Sequence, residues 1–326
     1  MLFAYRSTGA GLSRVITENP SLAEPTLAFD LPADAVWVDL YRPLSGQVAA
    51  VGGFGIHVPT LSEMEEIEIS SRLYHEDGAD YLTVVLPGRD PDGHVIAGPV
   101  TFVLQPSRLI TVRHHLPRAF ETYPLRAGQG PAGCATPDRI FLGLMAEIVG
   151  SLADSLEEAG RVLDEAGRRV FSGHAANRPD LLQKTLEEVG LQGERLSRVR
   201  TATTTLDRAL NHFAAARDGQ GLKALVKAEL RDLAALAVHA DFLAARVGLA
   251  VDATLGMIHL AQNATVRIVS VVAVLFLPPT LVASAYGMNF ATMPGLDRGW
   301  GYPAVLGLML ASALGTYLFF KWKHWL

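Results

Sequence analysis

The chain has 326 residues, of which 49% are hydrophobic and 19% are charged, and its formal net charge is −5 at pH 7. These values are ordinary for a protein with a large water-soluble part, and the mild acidity disfavours nucleic acid as the main partner. The single cysteine, Cys134, excludes an intramolecular disulfide. The first residues lack a basic start followed by an apolar core, so we expect no cleaved signal peptide.

Residues 1–133 have the pattern of a mixed α/β domain, which we expect to be cytoplasmic. Runs rich in β-branched and apolar residues, separated by turn-forming segments, predict four strands: 35–40, 81–86, 100–104 and 109–113. The last three follow one another closely. They predict a meander with helices packed on one or both of its faces.

Two local motifs in this domain have a simple interpretation. Thr60 precedes Glu63 by three residues, which is the spacing of a capping box, and predicts an acidic helix that continues to Ile69. His114 and His115 follow Arg113, with no metal-ligand partner near them in the sequence. We therefore expect them to be surface histidines rather than metal ligands.

Residues 134–220 predict a long helical hairpin. Pro137 suits the first position of a helix, and the pattern continues to about Val170. After a break, a second helix is predicted at about 181–215. We interpret the acidic residues of this hairpin as a solvated face rather than a metal site: Asp154, Glu157, Glu158, Asp164, Glu165, Glu187 and Glu188.

Residues 221–286 predict one very long helix, because no proline occurs between Leu222 and Pro278. Apolar residues recur at steps of three, four and seven along one face: Leu236, Leu243, Val247, Val251, Leu255 and Ile258. The pattern passes directly into an apolar segment. We interpret the helix as a stalk that continues into the membrane.

Two segments near the C-terminus are long enough to cross a bilayer as helices. Residues 268–285 are 18 residues without a charge, and residues 302–320 are 19 residues without a charge. The chain is thus expected to be an α+β membrane protein with a helical hairpin in the bilayer.

The flanking charges predict the orientation of this hairpin. Arg267 stands before the first span, and Lys321 and Lys323 follow the second, whereas the connection carries only Asp297 and Arg298. Because basic residues favour the cytoplasmic side, we expect a multi-pass protein of the cell's inner or plasma membrane with both termini in the cytoplasm.

Specific motifs surround these spans. Tyr286-Gly287-Met288-Asn289-Phe290 follows the first span, then come Met293-Pro294 and Gly301-Tyr302-Pro303, and the chain ends Lys321-Trp322-Lys323-His324-Trp325-Leu326. With these motifs, and over nearly its whole length, the sequence resembles the CorA family of divalent-cation channels. The family's outer loop often reads Met-Pro-Glu-Leu, but Gly295 replaces the acidic residue here.

The resemblance implies a homopentamer whose first membrane helices line the pore. It implies that residues 287–301 form an external loop ringing the outer entrance, and that residues 302–326 form the second membrane helix and a basic cytoplasmic tail. In that arrangement Asn289 contacts the incoming hydrated ion, while Gly287 and Met288 shape the loop.

Seven residues at steps of three and four share one face of the first membrane helix: Asn263, Val266, Ser270, Ala273, Leu277, Thr280 and Ser284. The face is polar at both ends and apolar in the middle. We interpret it as a pore lining with a hydrophobic constriction near Leu277. Ordinary helix packing is the alternative, because small and hydroxyl residues also join membrane helices.

Three aspartates of the stalk are candidate regulatory sites. Asp232 resembles an acidic position that the family uses to sense cytoplasmic magnesium between subunits, and Asp241 and Asp252 are further candidates. A solvated or salt-bridged carboxylate is the alternative at each position.

These features predict a channel for magnesium uptake, with cobalt or nickel as possible passengers and with magnesium also acting as a cytoplasmic regulator. Mg²⁺ gives up water reluctantly and prefers oxygen ligands, which suits a ring of Asn289 amide oxygens. The partners expected are other copies of the chain, the lipid membrane and divalent ions, but no nucleic acid.

Alternatives remain open at this point. One is a proton-coupled zinc transporter of the same superfamily, and another is a membrane-anchored scaffold without transport. The sequence contains no phosphate-binding loop of the Gly-x-x-x-x-Gly-Lys type and no local nucleophile and base motif, so we expect neither an enzyme nor an organic cofactor.

Overall fold

The computed structural model describes residues 1–18, 31–172, 178–217, 221–288 and 299–323. The chain divides into two compact units. The first consists of Met1–Arg168 and Leu186–Val251, and the second of Arg169–Thr185 and Asp252–Leu326.

A mixed sheet forms the centre of the first unit. Its seven strands are β1 (Leu2–Ser7), β2 (Leu12–Glu18), β3 (Trp37–Tyr41), β4 (Leu73–Glu76), β5 (Ala79–Arg89), β6 (Val95–Leu104) and β7 (Leu109–Arg113). Their order across the sheet is β2-β1-β3-β7-β6-β5-β4. β3 and β7 run parallel, and the other neighbours in this sheet run antiparallel. The predicted meander is confirmed as β5, β6 and β7.

The helices include the long ones expected from the sequence. They are α1 (Ser45–Gly52), α2 (Leu61–Glu65), α3 (Ile69–Arg72), α4 (Ala119–Arg126), α5 (Pro137–Val170), α6 (Pro179–Ala216), α7 (Lys223–Tyr286) and α8 (Gly301–Trp322). The two helices predicted for the hairpin and the single helix predicted after them are confirmed as α5, α6 and α7. α5 and α6 both begin at a proline, whose fixed φ suits a first helical turn.

Both faces of the sheet are buried, because successive residues of each strand point into different cores. Trp37 and Phe102 belong to a core shared with α4, α5, α6 and the N-terminal part of α7. Val38 and Val103 belong to a second core shared with α1 and α2. Burial on both sides explains why the central strands are apolar at almost every position.

The capping box at the start of α2 is confirmed, but the helix is shorter than expected. The Thr60 backbone N–H donates to Glu63 Oε2 over 2.7 Å, and α2 ends at Glu65 instead of continuing to Ile69. Glu66 is extended, with ψ 138°, and its carbonyl accepts a hydrogen bond from Arg72 Nε over 2.5 Å. The physical reason is the run of glutamates at this end, because the negative end of the helix dipole disfavours them.

The expectation that His114 and His115 are surface histidines is wrong for His115, which is 1% exposed. Its Nε2 lies 2.9 Å from the carbonyl oxygen of Leu86, so this nitrogen carries the proton that is donated. Burial lowers the pKa of His115 to about 4. The ring is therefore neutral at physiological pH and acts as part of the core.

Two glycines of the neighbouring strands make room for this ring. A Cβ added at Gly88 would lie 2.6 Å from His115 Cδ2, and one added at Gly98 would lie 2.9 Å from His115 Nδ1. Real Cβ atoms do not approach so closely. The glycines in β5 and β6 are therefore the sequence signal for a side chain that packs against the backbone there.

The second unit contains the end of α5, the start of α6, the rest of α7, and α8. A small apolar cluster joins the hairpin end to α7 and consists of Val170, Leu182, Ala253, Met257 and Ile258. Beyond this cluster, most side chains of α7 and α8 are exposed in the single chain.

Candidate ion-transport site

Two of the described helices, α7 and α8, are long and apolar enough to cross a membrane. In an apolar 18-residue stretch of each helix, only 6% of the residues are buried. The core helix of a soluble protein would be mostly buried instead. Leu277 and Leu281 of α7 are 70% and 71% exposed, so these helices need an apolar environment that the single chain does not supply.

The charged flanks of the two helices lie at the same end. Arg267 comes directly before the first uncharged segment and Lys323 comes after α8, and both line one groove of the second unit. The side chains of Val271 and Phe320 in this groove are buried, with 7% and 8% exposed. α7 and α8 therefore run antiparallel here, as a membrane hairpin requires.

All seven residues of the expected pore face are exposed on α7: Asn263, Val266, Ser270, Ala273, Leu277, Thr280 and Ser284. Because successive helical residues point about 100° apart, Ser270 faces a different direction from the buried Val271. Asn263, Val266 and Ser270 nevertheless line the same groove as Val271, beside Phe320 and Lys323 of α8. The upper four residues of this stripe, from Ala273 onward, lie outside the groove shared with α8.

Some polar side chains of the two membrane helices form hydrogen bonds within the chain, and others do not. Four hydroxyl groups donate to a backbone carbonyl in the preceding helical turn: Thr265 to Ala261, Thr280 to Phe276, Ser312 to Met309 and Thr316 to Ser312. Asn263, Ser270 and Ser284 of the stripe have no side-chain hydrogen bond to any part of the chain that the structure describes. Such groups are costly in lipid but not beside water.

α7 continues through Pro278 and Pro279 without a break. Each proline lacks the N–H that would bond to a carbonyl four residues earlier, so the carbonyl groups of Val274 and Leu275 lose their helical donors. Water or a neighbouring group must satisfy them at this depth.

α7 ends immediately before the Gly-Met-Asn motif. Tyr286 is its last residue, and the N–H of Gly287 donates to the carbonyl of Ala283 over 2.8 Å. A Cβ on Gly287 would lie 3.0 Å from that same oxygen, which is closer than such atoms normally come. Met288 is 52% exposed. Asn289 and Gly295 lie outside the described residues, as does the rest of 289–298.

The three candidate regulatory aspartates are all exposed on α7 but have different neighbours. Asp241 forms an ion pair with Arg200 of α6, with Oδ1 and Nε 3.0 Å apart. Asp232 and Asp252 have no ion-pair partner among the residues that the structure describes. The structure therefore leaves two of the three carboxylates available to a cation.

Sequence reasoning missed an acidic residue close to Asp232. Glu229 lies three residues earlier on the same helix, where side chains are neighbours. Burial raises the pKa of Glu229, and the negative charge of Asp232 raises it further. The i, i+3 spacing of the two acids is the sequence signal that could have revealed this pair.

The acidic face of the hairpin is solvated as expected, and arginines lie beside several of its members. The side chains of Asp154, Glu157, Glu158 and Asp164 are 49% to 71% exposed, and each has an arginine within 4.0 Å. Asp164 of α5, for example, pairs with Arg246 of α7 over 2.6 Å. These carboxylates are therefore partly neutralised before any metal arrives.

One group with metal-ligand chemistry lies elsewhere, in the turn between β5 and β6. The ligand atoms of Asp90, Asp92 and His94 lie within 4.8 Å of one another. The Asp90 carboxylate already accepts the backbone N–H groups of Asp92 and His94, at 3.0 and 2.8 Å. This cluster is explained by the turn that it stabilises.

A protein-family model described as "CorA-like Mg2+ transporter protein" matches residues 32–322. The chain belongs to the CorA family. As a CorA protein it is a membrane transport protein rather than an enzyme.

Individual CorA proteins match over the whole chain. The magnesium transport protein CorA of Escherichia coli is 34% identical over 328 residues, covering 100% of both chains. The complete structure of the CorA magnesium transporter from Methanocaldococcus jannaschii covers 100% of this chain and 99% of its own, with a TM-score of 0.69 and 16% identity. The structure of the full-length CmaX protein also matches, with a TM-score of 0.63, 13% identity, and coverage of 100% and 98%. The two structures support the CorA fold.

Proposed function

We propose that this chain is the subunit of a channel that takes up magnesium. The observation that carries the proposal is the 34% identity to a protein named "Magnesium transport protein CorA", because it extends over all of both chains. Cobalt or nickel would be further cargo of the same path. Magnesium is here the transported ion and also a regulator, and no organic cofactor is needed.

The polar stripe on α7 supports a water-filled path. Asn263 and Ser270 lie at one end of the stripe and Ser284 at the other, and their polar groups have no partner in the described chain. Inside the span, Ser284 would cost free energy if it faced lipid tails and would be satisfied if it faced a column of water; Asn263 and Ser270, near the charged end, would be satisfied by water or by polar headgroups. Leu277 between them would form the apolar constriction, which can close by losing its water.

The outer mouth would be formed by Gly287, Met288 and Asn289. Since Mg²⁺ holds its water tightly, a neutral amide oxygen of Asn289 can accept hydrogen bonds from the ion's water shell without stripping it. A ring of such amides binds the ion weakly enough to release it, as conduction requires.

Several copies of the chain must surround such a path, because two helices cannot enclose it. Val238, Phe242 and Leu249 of α7, at steps of four and seven, support this: they are 71%, 57% and 69% exposed. Apolar side chains at this spacing form a stripe suited to another copy. Five copies are what membership of the family leads us to propose.

We place both termini in the cytoplasm. Arg267 and Lys323 lie at one end of the membrane hairpin, and the positive-inside tendency assigns that end to the cytoplasm. The loop that contains Asn289 is then external, where uptake begins.

Cytoplasmic magnesium would regulate the channel through acids of the stalk. Asp232 and Glu229 form an unneutralised pair, and a divalent ion shared with a neighbouring copy would offset their repulsion. An ion that binds the closed arrangement better than the open one shifts the population toward closure. Asp241 and Asp252 are further positions for such an ion.

Reconstitution of the purified full-length protein into liposomes tests the transport function. A magnesium-sensitive dye inside the vesicles should report uptake that is absent from protein-free vesicles, and uptake should occur without a proton gradient. Uptake of zinc but not magnesium, dependent on a proton gradient, would instead identify a zinc transporter. No uptake of either ion would favour a membrane-anchored scaffold.

A further inference from the structure

A groove of about 530 Å³ lies between α7 and α8 at the end of the hairpin where Arg267 and Lys323 are found. Its lining consists of Asn263, Val266, Arg267, Ser270, Val271, Val274, Phe320 and Lys323. The groove is therefore basic at one end and mainly apolar along its length. Three members of the polar stripe form one of its walls.

Among the described residues, the two basic side chains of the groove have no carboxylate partner. None of the eight lining residues is acidic, and neither Arg267 nor Lys323 forms an ion pair within the described parts of the chain. Lys323 Nζ makes a cation–π contact with Trp322, 5.7 Å from the centroid of the ring, but this contact does not neutralise the positive charge. Two unpaired cations beside one groove attract an anion.

The depth of these groups matches the boundary of a bilayer. Arg267 directly precedes the uncharged segment 268–285, and Trp322, 75% exposed, has the position of an interfacial aromatic residue. Val271 and Val274 lie about 6 and 10 Å farther along α7, at 1.5 Å per residue. The charges thus lie at the level of lipid headgroups and the apolar walls at the level of acyl chains.

We propose that this groove binds an anionic glycerophospholipid. Its phosphate would lie between Arg267 and Lys323, and one acyl chain would pack against Val271, Val274 and Phe320. Basic pockets between membrane helices on the cytoplasmic side recognise such headgroups. The proposal depends on the membrane location of the hairpin, and it goes beyond magnesium transport.

A second copy of the chain fits this groove less well. Residues 253–288 and 299–323, which include both membrane helices, contain no Asp or Glu. A neighbouring copy that packed its membrane helices here would cover both cations without offering either of them a carboxylate, which is costly. A free phosphate would satisfy the charges but would leave the apolar walls uncovered.

Thermal unfolding of the purified, delipidated full-length protein in a neutral detergent provides the test. Dioleoyl phosphatidylglycerol should raise the melting temperature in a saturable manner, because a ligand that binds the folded state stabilises it. Dioleoyl phosphatidylcholine should have a much smaller effect. Arg267→Ala and Lys323→Ala should each weaken the apparent affinity about five-fold, and Arg267→Lys should largely retain it.

Lys321→Ala is the matched control, since Lys321 is exposed at the same end of α8 but does not line the groove. It should leave the affinity for phosphatidylglycerol unchanged. Equal stabilisation by the two lipids, or an equal loss with Lys321→Ala, would overturn the proposal. So would full competition by inorganic phosphate at the lipid concentration, or a photo-crosslinking residue at Val274 that captures a second copy instead of lipid. None of these readouts requires magnesium transport.

Discussion

Arg113 binds Asp39 across the parallel strands β3 and β7 through two of its nitrogens. Nη2 lies 2.8 Å from Oδ2, and Nε lies 3.1 Å from Oδ1. The side chains are 5% and 2% exposed. Thr111 also donates to Asp39, over 2.8 Å, and Trp37 Nε1 donates to Thr111 over 3.1 Å. The buried charges of Arg113 and Asp39 therefore neutralise each other, and Asp39 also accepts a hydrogen bond from Thr111.

Asp39→Asn should lower the free energy of unfolding by about 3–5 kcal/mol, because it leaves the buried guanidinium without its counter-charge. Denaturant unfolding in detergent measures the change. Asp34→Asn is the control: Asp34 pairs with Arg6 at the surface, where loss of the partner has little effect. Similar destabilisation by the two variants would show that burial does not determine the importance of the pair.

Gly98→Ala should destabilise the first unit by about 1–3 kcal/mol, because the added methyl group overlaps the ring of His115. Gly150→Ala is the matched control in α5, where nothing lies within 4 Å of an added Cβ. That change should stabilise the protein slightly, since alanine is the better helix former. Melting temperatures of the two variants distinguish these effects, and a neutral Gly98→Ala would contradict the packing described here.

His115 should make stability depend on pH in the acidic range. Its pKa is about 4 in the folded chain, against about 6.5 for an ordinary histidine, so on acidification the unfolded chain binds the additional proton first. Stability is then fully present above about pH 6.5, falls as the pH decreases toward 4, and levels off below that value, with a total of about 3 kcal/mol. His115→Gln should remove this part of the slope in a series of unfolding curves. An unchanged slope would mean that other groups cause it.

The sequence predicted those parts of the fold that depend on local pattern. β5, β6 and β7 follow from runs of β-branched residues, and α7 from a long stretch without proline. The parallel pairing of β3 with β7 could not be predicted from the sequence, because it joins residues about 70 positions apart. It depends on how the helices and the sheet pack together. Burial of His115 was missed for the same reason, since the space for its ring comes from glycines in two other strands.

In the candidate site, too, features set by local spacing were predictable from the sequence and contacts between helices were not. Spacing along α7 predicts the stripe from Asn263 to Ser284, and its seven residues are exposed in the structure. Their place beside a pore stays a prediction. The ion pair between Asp241 and Arg200 was not predictable, because it depends on how α6 packs against α7. Composition alone also gives no indication that Glu229 is half-buried.

Asn289→Ala should strongly reduce magnesium uptake at equal membrane expression, because the hydrated ion loses its first acceptor at the mouth. Asn289→Asp keeps the size and adds a charge in every copy, so the ion should bind more tightly and leave more slowly. Uptake into liposomes over a range of external magnesium concentrations separates the two effects. Asn211→Ala, on the exposed face of α6, is the control and should transport normally. Normal uptake by Asn289→Ala would remove Asn289 from the path.

Asp232→Ala should weaken inhibition by internal magnesium more than Asp241→Ala does. Asp232 lies beside the half-buried Glu229 and has no cationic partner in the described chain, whereas Asp241 is already paired with Arg200. Uptake measured against increasing magnesium inside the vesicles gives the inhibition constant of each variant. Equal inhibition in both variants and the parent would place the regulatory site elsewhere.

The ion pairs on α7 also define its register within the first unit. Asp241 of α7 is paired with Arg200 of α6, and Arg246 of α7 with Asp164 of α5. α7 contributes the acid to the first pair and the base to the second, and the two positions lie about one and a half helical turns apart on α7. Sliding α7 along its axis by one turn, about 5.4 Å, would separate both pairs together. Because these pairs are partly exposed, added salt screens them, and the resistance of α7 to such sliding should decrease as ionic strength rises.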